Sequence, residues 1–458
     1  MKSFEIVNPA NSAVIDRAPD ASVEEARQAV ERSVAAFGPW KTKPPFERSA
    51  VLRKWYEHIL KDQDTLAKLM TQEMGKPITE SRGEVKYAAA FVEWYAEEAK
   101  RGYGDVIPSH LGNKRLLAIR QPVGPVYAVT PWNFPAAMVT RKVAPALAAG
   151  CTLVLKPAEQ SPLTAIRLEE LWTQAGGPPE VFQVLTTSDP AAVSDVFFDD
   201  VRVRKLTFTG STEVGVKLYE KAARTVKRVS LELGGHAPFI VCDDADVAAA
   251  VQQVMASKFR NAGQTCVCAN RIYVHETVQS AFADRLAEAI TKLRVGDPMN
   301  DQTQVGPLVD RQGIEKVAAH VQDALSKGAT AVVGGRRRDG LFFDPTLLTG
   351  VTRGMRILEE ETFGPVAPMV GFTDEAEIVR AANATPYGLA AYVWTKDLGR
   401  AFRIAEQLEF GIVGVNDGLP AAPHAPFGGV KFSGIGREGG PWGMDEYLDV
   451  KYLSIALP

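Results

Sequence analysis

Between residues 123 and 210 the chain alternates short apolar runs with amphipathic segments, and this rhythm limits its fold more than any other feature. VGPVYAVT (123–130), CTLVLKP (151–157), VFQVLT and RKLTFTG (204–210) read as strands; the TRKVAPALAAG region, 162–175 and a stretch near 190–197 read as helices between them. Strands that are apolar throughout are buried on both faces, so the pattern predicts a parallel sheet with helices on each side. A second α/β rhythm begins near 236, with APFIVCD (237–243), a helix over 246–260, a polar loop and the strand RIYVHE (271–276), and continues to about 430. Ahead of both, Val23, Ala26, Val30 and Val34 recur at helical spacing, and further helices are predicted at about 46–73 and 78–101. The segment 114–129 reads as strand, turn, strand, and DEYLDVKYLSIALP at the end as a strand that needs a partner, in its own subunit or in another. At 458 residues two or three domains are expected.

Charge and composition exclude several classes of partner. The net charge is −3, and the only basic block, GGRRRDG at 334–340, reads as a solvated turn, so no nucleic-acid footprint is present. No apolar run approaches the roughly 18–20 residues of a membrane span. MKSFEIVNPANSAV lacks the features of a signal peptide, and with only four cysteines the expectation is a reducing cytoplasm.

Two of those cysteines stand out. Cys151 and Cys242 sit in apolar runs, whereas Cys266 and Cys268 lie two apart in the polar stretch FRNAGQTCVCANR (259–271). A metal site is disfavoured, because Cys-x-Cys is short of zinc spacing and the six histidines do not pair with it. A reactive thiol and a plain buried one remain equally open.

Four further motifs are ambiguous one by one. FTGSTEVG (208–215) ends a strand and opens a helix, with Gly210 and Gly215 five apart in a turn that would offer backbone N–H groups to phosphate; an ordinary strand–helix turn would look the same. KPAEQSP (156–162) puts Lys156 and Glu159 past a strand's carboxyl end, where ribose hydroxyls bind in parallel sheets, or merely on the surface. TPWNFP (130–135) holds Asn133 between Trp132 and Phe134 with prolines on both sides, suiting an oxyanion donor or a rigid aromatic turn. SLELGGHAP (230–238) carries Glu232 between leucines before a Gly–Gly break, as a general base or a solvated edge residue. Thiol, base, amide donor and phosphate turn in one chain point to nucleophilic catalysis coupled to a dinucleotide.

PWNFP, KPAEQSP, FTGST, LELGGHAP, FRNAGQTCVC, EETFGPV (360–366) and PFGGVKFSGIGRE (426–438) resemble, in identity, order and spacing, the aldehyde dehydrogenase superfamily. The resemblance implies an α/β fold of three parts: a Rossmann-like coenzyme domain (1–103 and 123–234), an α/β catalytic domain (235–434) and a small β oligomerisation region (104–122 and 435–458). It implies Cys266 as nucleophile, Glu232 as base, and Asn133 with the Cys266 N–H as oxyanion hole. Lys156 and Glu159 resemble contacts to the adenosine ribose, Trp132 and Ser211 contacts to phosphate, and Glu361 and Phe363 the residues placing the nicotinamide ribose and ring. Lys142 and Glu438 match positions with supporting roles in proton handling. The implied reaction is oxidation of an aldehyde to an acid through a thiohemiacetal and a thioester, in a homodimer or homotetramer.

Within the superfamily RNAGQTCVCANR and the DEYLDVKYL tail look closest to succinate-semialdehyde dehydrogenases, whose two substrate-binding arginines match Arg141 and Arg260. Guanidinium is the natural partner of a carboxylate. The loop GLPAAPHAP (418–426) departs from that subfamily, with Ala421 and Ala422 near the place of a carboxylate-binding serine, which leaves room for glutarate semialdehyde, 2-oxoglutarate semialdehyde or a broader range. A relative passing the acyl group to coenzyme A is a further alternative, against which Glu232 argues. In some relatives the second cysteine of CVC forms a disulfide with the nucleophile, which would make Cys268 a redox switch. Glu159 would accept from a ribose 2′-OH and repel a 2′-phosphate, favouring NAD, with NADP possible.

Overall fold

The computed structural model describes residues 2–458, and its core is two parallel sheets set end to end. The first has six strands in the order Gly434–Ile435, Arg228–Glu232, Lys205–Thr209, Val126–Val129, Leu153–Lys156, Phe182–Val184, all parallel except the first. Strand order reverses between Val126–Val129 and Lys205–Thr209, which makes the crevice beyond their carboxyl ends a switch point for ligand binding. Successive residues serve opposite faces, as strand pleating requires. Val126 and Ala128 join a core with the helices Pro45–Lys61, Ile78–Glu98, Ala137–Ala149 and Pro162–Gln174, while Tyr127 and Val129 pack on Val23–Thr42 and Pro190–Asp199.

The second sheet has seven strands in the order Thr330–Val333, Thr346–Thr349, Val366–Phe372, Ala269–His275, Ala237–Val241, Ala390–Trp394, Ile412–Val415, with one antiparallel pair at its edge. Both α/β rhythms therefore correspond to parallel sheets covered on two faces. A third sheet resolves the question of the tail. Leu448–Ala456 pairs antiparallel along its whole length with Lys114–Pro122 of its own chain, and Asp105–Ile107 completes the three strands.

One predicted helix divides. The segment expected at about 46–73 is two helices, Pro45–Lys61 and Gln63–Met74, parted at Asp62. The Asp62 carboxylate is gripped by Arg167 Nε and Nη2 (2.7 and 3.0 Å), a tertiary contact that helical periodicity cannot register. The N-terminal hairpin Ser3–Val7 with Val14–Pro19 was not anticipated.

The helix Gln63–Met74 also secures the start of Pro162–Gln174, directly after KPAEQSP. Its N-cap Ser161 makes no side-chain cap; instead Glu73, 1% exposed, accepts from the N–H groups of Leu163 and Thr164 (2.8 and 3.2 Å) and from the Thr164 hydroxyl. Burial pushes the Glu73 carboxyl up to about 8, so its protonated form is the one the fold favours. The stability tied to that proton is complete below the ordinary carboxyl value and is lost as pH rises through about 8. Glu73→Ala, which orphans the buried donors, should cost about 2–3 kcal/mol at pH near 6. Glu73→Gln, which keeps an oxygen for Thr164 but faces the Leu163 N–H with an amide NH2, should cost less than Glu73→Ala near pH 6 and gain on wild type as pH rises to about 9, as read from melting temperatures across pH.

Candidate active site

The carboxyl ends of the first sheet face the amino ends of strands in the second, and a cleft of about 770 Å3 lies between them. That volume is within the range of cofactor sites. Its first wall comes from loops after Val126–Val129, Leu153–Lys156 and Lys205–Thr209, carrying Trp132, Asn133, Lys156, Glu159, Gly210 and Ser211. Its second wall comes from loops that precede strands: Cys266 lies just before Ala269–His275, and Glu361 and Phe363 just before Val366–Phe372.

At one end, Lys156 pairs with Glu159. Midway, Trp132 and Phe363 meet edge to face, ring centroids 5.6 Å apart. Phe363 holds φ 55°, a left-handed conformation that costs roughly 1–2 kcal/mol outside glycine and aims its ring into the cleft. Glu361 accepts from the Gly235 N–H (3.0 Å), and burial pushes its carboxyl up to about 7. A Cβ on Gly235 would strike the Cys266 carbonyl, so only glycine lets these loops touch.

The phosphate turn differs in detail from its sequence reading. The Gly210 N–H donates to the Glu232 carbonyl (3.1 Å) and the Gly215 N–H to the Ser211 carbonyl (2.9 Å), so neither glycine offers a free donor. Ser211 Oγ accepts from Val214 N–H as an N-cap (3.3 Å). Gly215 is buried inside the helix Thr212–Ala223, where a Cβ would strike Leu233; it does not line the cleft.

Cys266 is half-buried at the cleft's inner end beside Asn133. Asn133 Nδ2 donates to the Gln264 carbonyl (3.0 Å), which leaves its second N–H for another acceptor. Burial pushes the Cys266 thiol up to about 12; Arg141 and Arg260 oppose this, while Glu361 and Glu232 add to it. Glu232 is 4% exposed rather than solvated, and one carboxylate oxygen has no partner. Burial first, then the Glu438 carboxylate, hold its carboxyl well above the ordinary range against Arg141, Lys142 and Arg437.

Glu438 organises the cations behind this centre. It pairs with the fully buried Lys142, and its Oε2 lies 2.7 Å from Arg141 Nε, though not aligned as a hydrogen bond. The Arg141 guanidinium, 1% exposed, stacks on Phe427 at 4.0 Å and leaves Nη2 without an acceptor. Arg260 lies 5.2 Å from the Phe134 ring, and its buried Nε also lacks an acceptor. Both arginines lower the proton affinity of Tyr87 as well as of Cys266, and neither lines the cleft. Ala421 and Ala422 are half-buried in their loop.

Cys268 is fully buried, with Sγ 3.6 Å from the Lys258 carbonyl, and all four cysteines are free thiols. Among the described residues no group of three or more His, Cys, Asp or Glu could hold a metal ion, and no helix is long and apolar enough to cross a membrane. The sequence reading did not single out Lys76, Glu80, Glu84, Asn261 or Gln264, which hold the two loops at this centre. Lys76, Glu80 and Glu84 showed only charge on a segment that otherwise reads as a solvated helix start, and Asn261 and Gln264 only their place in the polar cysteine stretch.

The pattern defining the aldehyde dehydrogenase family matches residues 1–453. The chain is 51% identical to the NADP(+) succinate-semialdehyde dehydrogenase of Escherichia coli (strain K12), covering all of this chain and 95% of that protein. It is equally identical, over 456 residues, to the glutarate-semialdehyde dehydrogenase of Pseudomonas putida (strain KT2440), with all of this chain and 95% of that protein covered. The crystal structure of an aldehyde dehydrogenase from Brucella melitensis biovar abortus 2308 superimposes with a TM-score of 0.99 at 51% identity, covering 100% of this chain and 94% of that one. With this fold, a thiol at the inner end of a dinucleotide-sized cleft and full-length similarity, the chain belongs to the aldehyde dehydrogenase family and is an NAD(P)-dependent oxidoreductase.

Proposed function

We propose that this enzyme oxidises a short aldehyde bearing an anionic group at its far end, succinate semialdehyde first and glutarate semialdehyde second, with NAD as preferred coenzyme. The observation that carries the substrate class is the pair Arg141, buried, and Arg260, half-buried, each with a buried nitrogen lacking an acceptor and both acting on the Cys266 thiol. A buried donor left unpaired is costly, and a carboxylate seated between the two would satisfy both. The two relatives described above are named for such substrates, of different chain length.

Cys266 attacks the carbonyl carbon and forms the thiohemiacetal, whose oxyanion takes the free Asn133 N–H and the Cys266 N–H. A nicotinamide dinucleotide, which the cleft with Trp132, Phe363 and Glu361 fits in size, would accept the hydride that the thiohemiacetal carbon loses in becoming the thioester. Glu232 then takes a proton from water, which attacks the thioester and releases the acid. Its raised proton affinity suits a base that works near neutral pH. Lys142 and Glu438, paired beside it, hold the charge balance of the site. The Glu159 carboxylate beside Lys156 favours a ribose 2′-OH over a 2′-phosphate, although the Escherichia coli relative is named for NADP(+). The domain limits given above are adopted here, with the three-stranded sheet as a subunit contact in a cytoplasmic dimer or tetramer; its exposed Val450 and Tyr452 support that reading. A Cys266–Cys268 switch would require the loop to expose Cys268.

The test is coenzyme reduction followed by absorbance, with succinate and glutarate semialdehydes beside uncharged aldehydes of equal length. Arg260→Ala should raise KM for the acidic substrates by about 100-fold and leave uncharged aldehydes nearly unchanged; an equal loss on both would refute the anion site. Glu232→Gln should keep the first turnover and lower steady-state kcat by about 100-fold or more. Because burial and the Glu361 and Glu232 carboxylates hold up the Cys266 thiol, its alkylation by iodoacetamide in coenzyme-free enzyme should climb without a plateau between about pH 7 and about pH 10. Glu159→Ser should improve NADP use by about 10-fold or more relative to NAD; no gain would refute the coenzyme assignment.

A further inference from the structure

The turn and helix start between Lys76 and Glu84 bury two charged side chains, and half-bury a third, against the two loops that carry Asn133 and Cys266. Lys76 is 1% exposed and pairs with Glu84, 4% exposed. Lys76 Nζ donates to the Asn133 carbonyl (2.8 Å) and lies 3.8 Å from the centre of the Phe134 ring. Glu84 Oε1 accepts from the N–H groups of Ala136 and Ala137 (3.0 and 3.2 Å), at the start of the helix Ala137–Ala149 that presents Arg141 and Lys142. Glu80, one helical turn before Glu84, accepts from the Asn261 N–H (2.8 Å). Asn261 and Ala262 hold φ 51° and 55°, so this anchor fixes a strained turn leading to Cys266. Asn261 Nδ2 closes the circuit by donating to the same Asn133 carbonyl (3.1 Å).

We propose that the Lys76–Glu84 pair is a positioning device for catalysis: it holds the Asn133 peptide so that the side-chain amide is aimed at the oxyanion, in register with Cys266. The inference rests on Asn133 being the oxyanion donor, the reading made above. The Asn133–Phe134 loop has no strand or helix ladder of its own, so the orientation of its peptide is set by the two donors on the Asn133 carbonyl. Lys76 supplies one, and its cation against the Phe134 ring fixes the next residue. Glu84 neutralises that buried cation and caps the helix that follows, so loop and helix are located by one ion pair. A displacement of about 1 Å at an oxyanion donor is enough to slow chemistry by about 100-fold.

Removing one charge would strand the other, so the informative variant is Lys76→Met/Glu84→Gln. It abolishes both charges and keeps an oxygen for the Ala136 and Ala137 N–H groups. It is compared with Asn133→Ala and with the triple variant, on the full-length enzyme with succinate semialdehyde. The paired variant should lower kcat about 10- to 100-fold. Coenzyme affinity and the rate of Cys266 alkylation by iodoacetamide, neither of which needs an oxyanion donor, should stay within about twofold. Added to Asn133→Ala, the paired change should cost less than about threefold more, because it acts through Asn133. An unchanged kcat in the paired variant, an independent multiplicative loss in the triple variant, or an equal loss of alkylation and coenzyme affinity would each overturn the proposal. If Asn133→Ala itself turns over at the wild-type rate, the reading of Asn133 fails and the brace with it; a slow Asn133→Ala beside a normal paired variant rejects the brace alone. Lys76→Gln/Glu84→Gln, which also removes both charges, keeps an oxygen for the Ala136 and Ala137 N–H groups and puts a shorter amide in place of the ammonium, is the second arm should the paired variant not fold. It should show the same pattern at smaller size, and a normal kcat there would overturn the proposal.

Discussion

Catalytic loops in a parallel α/β protein lie beyond the strand ends, where no ladder satisfies their backbone groups, and that deficit shapes the centre of this enzyme. A buried carbonyl or amide without a partner costs about 1–3 kcal/mol. The Asn133 carbonyl, the Asn261 N–H and the first N–H groups of two helices are all buried there, and all are met by side chains of the segment from Glu73 to Glu84. These partners are charged, so they in turn must be paired or hold a proton. Lys76 and Glu84 do the first; Glu73, pushed up to about 8, and Glu80, pushed up to about 7 by burial, favour the second. Lys76 and Asn261 thus meet on the Asn133 carbonyl, with Glu84 holding the first and Glu80 the second, while Glu73 separately secures the helix Pro162–Gln174.

The same economy of space appears where the sheets meet. Loops after the strands of one sheet interlock with loops before the strands of the other, so backbone approaches backbone. Gly235 permits contact between the loop after Glu232 and the cysteine loop, and Phe363 and Asn261 accept left-handed conformations to keep their side chains in place. Strain of this kind persists only where the surroundings hold it, and at Asn261 the N–H donated to Glu80 does so.

Electrostatically the site opposes burial with cations. Desolvation raises the proton affinity of Cys266, Glu232 and Glu361; Arg141 and Arg260 work against it at Cys266, Arg141, Lys142 and Arg437 at Glu232, and the Gly235 N–H with Lys316 and Lys258 at Glu361. Glu438 engages Arg141 and Lys142, yet guanidinium nitrogens of Arg141 and Arg260 are still able to take an anion.

The α/β class, both sheet rhythms and the residues that gather around the cleft were legible in the chain, because strand burial and strand-end motifs are local patterns. Trp132, Asn133, Lys156, Glu159, Cys266, Glu361 and Phe363 all line one cavity. The break at Asp62 was not legible, since it depends on Arg167 about a hundred residues away, nor was the loss of the Gly210 N–H to a neighbouring strand. Helical spacing of Lys76, Glu80 and Glu84 looks the same whether that face meets water or protein. Only the folding of two loops onto it decides that these charges are buried, because burial is a property of what arrives from elsewhere in the chain.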